Sequence, residues 1–131
     1  MHSTIRFLML IAALSLAEAA ALGAWGAHGA TKVLSPEKLH SWEIAVQYQF
    51  FHSIGILLIG LLHNQFPMKL LRNTAILMLI GICLFSGAIY INCLGGPKWL
   101  GMVAPLGGAS FIVSWIMLAV AVWKIGAAKK G

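Results

Sequence analysis

Two ionisable side chains interrupt long apolar stretches of this sequence, and both could do chemistry. Glu18 lies within LIAALSLAEAAALGAW, and His52 lies within AVQYQFFHSIGILL. An acidic group in an apolar membrane helix is costly, faces protein or water, and is a functional candidate by default. A carboxylate and an imidazole together could handle a proton or a cation.

The positions of Glu18 and His52 predict that they meet. Glu18 precedes Gly26 by eight residues, and His52 follows Glu43 by nine. If Gly26 and Glu43 mark one membrane boundary, the two side chains lie about 12 Å and about 13 Å below it at the rise of an α-helix. In an antiparallel hairpin they therefore fall at matching depth, and we predict that Glu18 pairs with His52.

Further polar side chains fall in the same half of the apolar stretches. The predicted polar cluster comprises Glu18, Gln49, His52, Ser86, Tyr90, Ser110 and Ser114. This cluster predicts a polar core or a shallow cavity open toward one side of the membrane. Two interpretations stay open: hydrogen bonds that only hold a bundle together, or a site for a proton, a metal, a quinone or a small ligand.

The stretch GAWGAHG, residues 23–29, follows the first apolar run. Its spacing is GxxGxxG rather than GxGxxG and no strand precedes it, so it does not predict a phosphate-binding loop. His28 is expected at the outer membrane interface, near His40 and Glu43 at the start of the next helix. Two histidines and a glutamate do not define a metal site, so the metal question stays open.

Small residues dominate the first apolar stretch. Ala13, Ala17 and Ala21 form one series at helical spacing, and Ala20 with Ala24 forms another. Gly23 and Gly26 extend this surface. Such residues let membrane helices approach closely, and we predict a packing role for them.

The composition identifies the class of protein. Of 131 residues, 60% are apolar and 9% are charged, and the mean hydropathy is +0.90, whereas about a quarter of residues are charged in a soluble domain. Four stretches are long enough to cross a bilayer. We predict an all-α integral membrane protein, one membrane domain over 1–131, whose four-helix bundle has transmembrane helices at about 5–26, 43–62, 73–94 and 104–125.

The second helix has a recognisable start outside the lipid. Ser35 is a plausible N-cap, Pro36 suits the first helical position, and Glu37 suits the positive helix end. Trp42 is expected as an interfacial anchor.

The basic residues predict the orientation of the bundle. One side collects Arg6, Lys69, Arg72, Lys124, Lys129 and Lys130, and the other collects Lys32, Lys38 and Lys98. The bias places both termini in the cytoplasm. Because the net charge of +6 comes from these scattered residues, it does not predict nucleic-acid binding.

Four blocks in order resemble a known family. GAWGAHG, AVQYQFFHSIGILL, FSGAIY and APLGGASFIVSW are similar to the YgdD/YwdK-type small membrane proteins, a domain-of-unknown-function family (four-twenty-three). The resemblance implies a four-helix protein of the bacterial inner membrane; since relatives include small mitochondrial proteins, a mitochondrial membrane is the alternative. It supplies no reaction. Its pattern positions here are His28, Gln49, His52, Ser86, Gly87, Tyr90, Pro105, Gly107, Gly108 and Trp115, and we add Gly87, Gly107 and Gly108 to the predicted packing glycines.

These observations favour a non-enzymatic accessory or assembly subunit of a membrane protein complex. Its expected partners are the lipid bilayer and either another membrane protein or further copies of itself. The alternative is a small carrier, channel or ligand-binding protein that uses the polar cluster. An enzyme comes third, because no nucleophile, base and orienting group form a recognisable set, and the sequence indicates no particular cofactor.

Overall fold

The computed structural model describes residues 1–130, with side chains as far as Ala128. Four helices in this part of the chain are long and apolar enough to cross a membrane. They are α1 (Ser3–Ala27), α2 (Pro36–Gln65), α3 (Lys69–Cys93) and α4 (Ala104–Lys130). The predicted all-α membrane bundle is confirmed. Each predicted span falls on one of these helices, and 73–94 extends one residue past the end of α3. Lys129 and Lys130, which enter the charge count, have side chains outside the described part.

The helices run alternately up and down. One end of the bundle, the termini end, holds the start of α1, the α2–α3 connection and the end of α4. The other end, the loop end, holds short 3₁₀ turns at Gly29–Lys32 and Lys98–Met102. α2 begins at Pro36 as predicted, and the Ser35 hydroxyl accepts the Lys38 N–H at 3.3 Å.

Helices α2 and α3 form the centre, α1 packs mainly against α2, and α4 packs mainly against α3. The larger apolar core lies toward the termini end. It includes Ile5, Leu8, Ile56, Ile59, Leu71 and Met78. Toward the loop end α1 and α3 separate, as do α2 and α4, and each separation leaves a lateral opening.

A second core lies at the loop end around Trp42. This indole is 2% exposed, and its Nε1–H donates to the Leu22 carbonyl at 2.9 Å. The predicted role of Trp42 as an interfacial anchor is therefore wrong, because the ring packs between helices instead of lying at the surface. A Cβ at Gly26 would lie 2.9 Å from Trp42 Cδ1, so the glycine leaves room for the indole.

Helix α3 contains a π-helical turn at Cys83–Gly87. The turn meets α4 where Gly107 lies against the backbone of Phe85, so closely that a Cβ at Gly107 would overlap the Phe85 nitrogen. π-helical turns are rare and often occur at functional sites. Here the turn lies between the two lateral openings.

Candidate functional site

The opening between α1 and α3 has a volume of about 310 Å³. We call it the Glu18 cleft; its polar lining consists of Ser15, Glu18, Gln49, Ser86 and Tyr90. Four of these five belong to the predicted polar cluster. They come from α1, α2 and α3, and Gln49 of α2 lies at the base of the cleft.

Gln49 organises the Glu18 cleft from α2, where it is 2% exposed. Its Nε2 lies 3.0 Å from Glu18 Oε1, 3.0 Å from the Ser15 carbonyl and 3.1 Å from Ser15 Oγ. Its Oε1 accepts the Tyr90 hydroxyl at 2.6 Å. The amide therefore links α1 to α3 and makes a continuous chain from Tyr90 to the Glu18 carboxylate.

Two serines complete the polar contacts at this depth. Ser53 donates to Ser15 Oγ at 2.8 Å, and Ser86, in the π-helical turn, donates to the Ala45 carbonyl at 2.7 Å. Both are fully buried or nearly so. These bonds satisfy polar groups that would otherwise face hydrocarbon.

Glu18 itself stays exposed on the isolated chain. It lies about 13 Å from the end of α1, well inside the apolar span. A carboxylate at such a depth faces protein or a water-filled cavity, and here it lies at the edge of the cleft with Gln49 as its donor.

The opening between α2 and α4 is larger, about 880 Å³, and mostly aromatic. We call it the His52 groove. Besides His52, its aromatic lining residues are Tyr48, Phe51, Phe85, Phe111 and Trp115. The Phe111 ring stacks on His52 with centroids 3.5 Å apart and planes 13° apart. This wall leaves few polar atoms exposed to the groove.

His52 has a hydrogen bond on each ring nitrogen. Trp115 Nε1–H donates to Nε2 at 3.0 Å, and Nδ1 lies 2.7 Å from the Tyr48 carbonyl. Because the indole can only donate and the carbonyl can only accept, this pair of bonds fits the neutral imidazole with its proton on Nδ1. His52 is 4% exposed.

The predicted pair of Glu18 and His52 is wrong. Glu18 bonds with Gln49, and His52 bonds with Trp115. Depth along the helices matches, but Gln49 and His52 point from α2 toward different openings. Rotation around a helix, which depth does not specify, separates the two groups.

Ser110 and Ser114 do not join the polar cluster either. Ser110 donates to the Leu106 carbonyl at 2.9 Å, and Ser114 donates to the Ser110 carbonyl at 2.7 Å. Each hydroxyl satisfies its own helix, as serine often does within membrane spans. Their inclusion in the predicted cluster is therefore corrected.

His28, His40 and Glu43 are exposed at the loop end. Thr31 donates to the His28 carbonyl at 2.7 Å, but the side chains of these three residues make no hydrogen bond or ring contact with residues 1–128. Within the same residues no group of three or more His, Cys, Asp or Glu is arranged to hold a metal ion. The expected grouping of His28 with His40 or Glu43 is not seen.

The predicted packing glycines divide into two groups. A Cβ at Gly23 would lie 3.3 Å from Val46, and those at Gly26 and Gly107 would overlap Trp42 and the Phe85 backbone. A Cβ at Gly87 would meet nothing within 4 Å, and one at Gly108 only Phe85 Cδ1 at 4.0 Å. The prediction of close packing is wrong for Gly87 and Gly108, because these positions face open space.

Sequence reasoning missed the partners on the aromatic side of the bundle. Phe111 covers His52, and Trp115, noted only through the family resemblance, supplies the donor to it. A search for aromatic residues spaced four apart on one face of the last helix would have found both. The π-helical turn leaves no comparable sequence signal.

Comparisons with known proteins agree with the membrane fold. A family model described as "Protein of unknown function (DUF423)" matches residues 22–108. A UPF0382 membrane protein of Staphylococcus saprophyticus is 37% identical over 117 residues, which are 89% of this chain and 97% of that protein. The UPF0382 membrane protein YwdK of Bacillus subtilis is 36% identical over 117 residues, 88% of this chain and 95% of that protein. No solved structure matches.

Proposed function

This chain belongs to the DUF423 family of membrane proteins, and we propose that it works as an accessory subunit whose α1 docks a transmembrane helix of another membrane protein. The observation that carries the proposal is a face of four exposed alanines on α1. Ala13, Ala17, Ala20 and Ala24 follow one another at intervals of four, three and four residues, and all are exposed. We call them the alanine face.

The alanine face is narrow and points away from the rest of the chain. At 100° per residue its four side chains fall within an arc of about 60°. The buried residues Leu8, Ala12 and Ala19 of α1 lie about 110° to 150° around the helix from the centre of this face, toward the remaining helices. The face is therefore unused within the chain.

Small residues are useful where a second helix approaches, because they let two backbones come close. The outward face of α4 differs, although its residues have a similar spacing. There Ile112, Ile116 and Trp123 are 65%, 59% and 77% exposed. Large apolar groups suit contact with lipid. On α1 the exposed large side chains Phe7, Leu10 and Leu14 lie nearer its start, so the contrast supports the later half of α1 as the docking surface.

Glu18 follows Ala17 in the sequence but lies about 100° further around α1, at membrane depth beside the Glu18 cleft. Among the described residues, its carboxylate has Gln49 as its one hydrogen-bond donor. A partner that also contacts this flank of α1 would cover the carboxylate from lipid and add a second donor, which is a common role of polar residues between membrane helices.

We also propose that the protein lies in the bacterial inner membrane with both termini in the cytoplasm. Lys and Arg are more frequent at the termini end, where they include Arg6, Lys69 and Arg72. This bias supports the proposed orientation.

Docking through α1 is testable by comparing Ala17→Phe with Ala119→Phe. Both replace an exposed alanine in an apolar helix, but Ala119 lies on α4, outside the alanine face. After mild extraction from native membranes, the wild type and Ala119→Phe should co-purify with the same membrane protein. We expect Ala17→Phe to lose at least about tenfold of that partner, since a bulky side chain separates the backbones.

Three results would contradict this function. One is a wild-type protein that leaves native membranes without any companion; another is an equal loss of partner in both variants. The third is recovery of only a second, differently tagged copy of this chain, which would make the alanine face a self-association surface.

A second candidate function is a small carrier for a proton or a cation in the Glu18 cleft. The continuous hydrogen-bond chain of Tyr90, Gln49 and Glu18 along an open cavity favours it. In proteoliposomes, uptake of protons or of alkali cations should exceed that of empty vesicles and should fall to background in Glu18→Gln. Equal uptake by the wild type and Glu18→Gln would exclude this carrier.

A further inference from the structure

A third cavity, of about 300 Å³, lies at the termini end of the bundle. It is separate from the Glu18 cleft and the His52 groove. Its polar lining consists of His2, Ser3, Thr4, His63, Lys69 and Arg72. We call it the basic cavity.

The starts of two long helices meet at the basic cavity. Ser3 and Thr4 open α1, and Lys69 opens α3. Neither helix has a side chain that caps its start or an acidic residue in its first turn. Backbone N–H groups in the first turn have no acceptor within the helix, and the helix dipole makes this end positive.

His63 gives an independent indication of a ligand. It lies on α2 against the cavity and is only 5% exposed, and its Nδ1 is buried without a hydrogen-bond partner among the described residues. The His2 ring stands edge-on to it, with centroids 5.2 Å apart. A buried polar atom without a partner is rare in folded proteins and calls for a missing group.

No carboxylate of Asp or Glu is near enough to neutralise this cavity. The chain has only three such residues, Glu18, Glu37 and Glu43. The first lies mid-span beside the Glu18 cleft, and the other two lie near the start of α2, at the loop end. Lys69 and Arg72, one exposed and the other half-buried, therefore have no Asp or Glu partner in the chain and stay available to an external anion.

We propose that the basic cavity binds a phosphate group. Arg72 and Lys69 supply charge-assisted donors, the starts of α1 and α3 supply backbone N–H groups, and His63 supplies a ring nitrogen. Helix starts and Arg side chains are the elements that proteins use for phosphate. The phosphate of an anionic lipid and free phosphate share this chemistry. A lipid phosphate can reach the cavity because the cavity lies where the apolar spans end.

The test uses the full chain in detergent. Native mass spectrometry after addition of phosphatidylglycerol or phosphatidylcholine should show that the wild type retains the anionic lipid at least about tenfold more. Arg72→Gln should lower that retention about tenfold, as expected for the loss of one charge-assisted contact. Lys124→Gln removes the same charge at the same end but outside the cavity, and it should retain the lipid as the wild type does.

Inorganic phosphate distinguishes the source of the phosphate group. If free phosphate raises the thermal unfolding temperature of the wild type while phosphatidylglycerol is not retained, the cavity binds a soluble phosphate. Retention of phosphatidylglycerol without an effect of inorganic phosphate assigns it to the lipid. The comparison of phosphatidylglycerol with phosphatidylcholine uses the wild type alone, so it tests the proposal even if a variant fails to fold.

Two outcomes overturn the proposal. In the first, the wild type retains both lipids equally and inorganic phosphate does not stabilise it. In the second, Lys124→Gln loses as much anionic lipid as Arg72→Gln, which would mean that general surface charge holds the lipid.

Discussion

The Glu18 cleft and the His52 groove lie at similar depth on different sides of α2, yet their chemistry differs. In the cleft, Gln49 connects a carboxylate to a phenol through side-chain hydrogen bonds. In the groove, His52 is covered by Phe111 and bonded to Trp115. The smaller opening contains the chain of hydrogen bonds, and the larger one, about 880 Å³, is lined by aromatic side chains.

The comparison shows that the position of a residue around α2 decides which opening its side chain faces and which partners it bonds. Gln49 and His52 are three residues apart, which turns them by about 60° from each other. That turn is enough to give them different partner helices. Gln49 reaches α1 and α3, whereas His52 reaches α4. The two openings are therefore expected to respond separately to substitution.

The largest expected effect is on the aromatic side, from Gly107→Ala. A Cβ there would overlap the Phe85 backbone, so α4 has to move away from the π-helical turn and the groove loses its wall. We expect a loss of about 3 kcal/mol in the free energy of unfolding, the upper range for overpacking. Reversible unfolding of the purified protein in mixed micelles measures it.

Gly108→Ala is the matched control for that substitution. Its Cβ would meet only Phe85 Cδ1 at 4.0 Å, so the substitution should not destabilise the protein and should add up to about 1 kcal/mol through the higher helix propensity of alanine. An equal loss in both variants would mean that the α3–α4 contact at Gly107 does not hold the groove.

The next effect is on the polar side, from Gln49→Leu. The substitution removes the link between Tyr90 and Glu18 and leaves both without that partner at membrane depth. We expect a loss of about 1–2 kcal/mol, the range for a hydrogen-bonded group between membrane helices. The same unfolding assay measures it, and the fluorescence of Trp115 should stay unchanged because the groove is intact.

Gln47→Leu makes the same chemical change two residues away. Gln47 is exposed, and its side chain forms no hydrogen bond with residues 1–128, so this variant should be as stable as the wild type or more stable. A Gln47→Leu protein that loses as much stability as Gln49→Leu would argue against a specific role for the Glu18 cleft chain.

The smallest effect is expected for Trp115→Phe. Phenylalanine keeps a ring in the groove but removes the N–H that donates to His52 Nε2. We expect about 0.5–1.5 kcal/mol of destabilisation, the usual net contribution of one hydrogen bond. In ¹⁵N NMR spectra, the His52 Nε2 resonance should also shift, which a packing change alone would not produce.

Trp123→Phe is the control for this substitution, since Trp123 is 77% exposed on the same helix. It should leave both the stability and the His52 resonance unchanged. If Trp115→Phe behaves in the same way, the bond to His52 contributes nothing measurable, and stacking with Phe111 alone positions the imidazole.

Several parts of this molecule could be predicted from local patterns. Hydropathy predicted the four spans, because a helix that crosses a bilayer needs about 20 apolar residues in a row. The start of α2 followed from Ser35 and Pro36, whose capping roles depend only on neighbouring residues. Four members of the polar cluster do meet, since their depth follows from position along each helix.

The partners within the cluster could not be predicted in this way. Glu18 and His52 match in depth, but the pairing also depends on how each helix is rotated and tilted, which neighbouring helices decide. Ser110 and Ser114 were predicted to belong to the polar cluster, yet their hydroxyls bond to their own backbone. A serine has this local alternative wherever a helix carbonyl lies within reach.

The sequence by itself determined the membrane class, the number of spans and the depth of each polar group, because these depend on composition and on distance along a helix. Only the tertiary structure decided that Gln49 donates a hydrogen bond to Glu18, that Trp115 donates one to His52 and that the alanine face stays uncovered. The physical reason is that hydrogen bonds and close packing require particular angles between helices. Those angles come from contacts between residues far apart in the chain, such as Gly107 against Phe85.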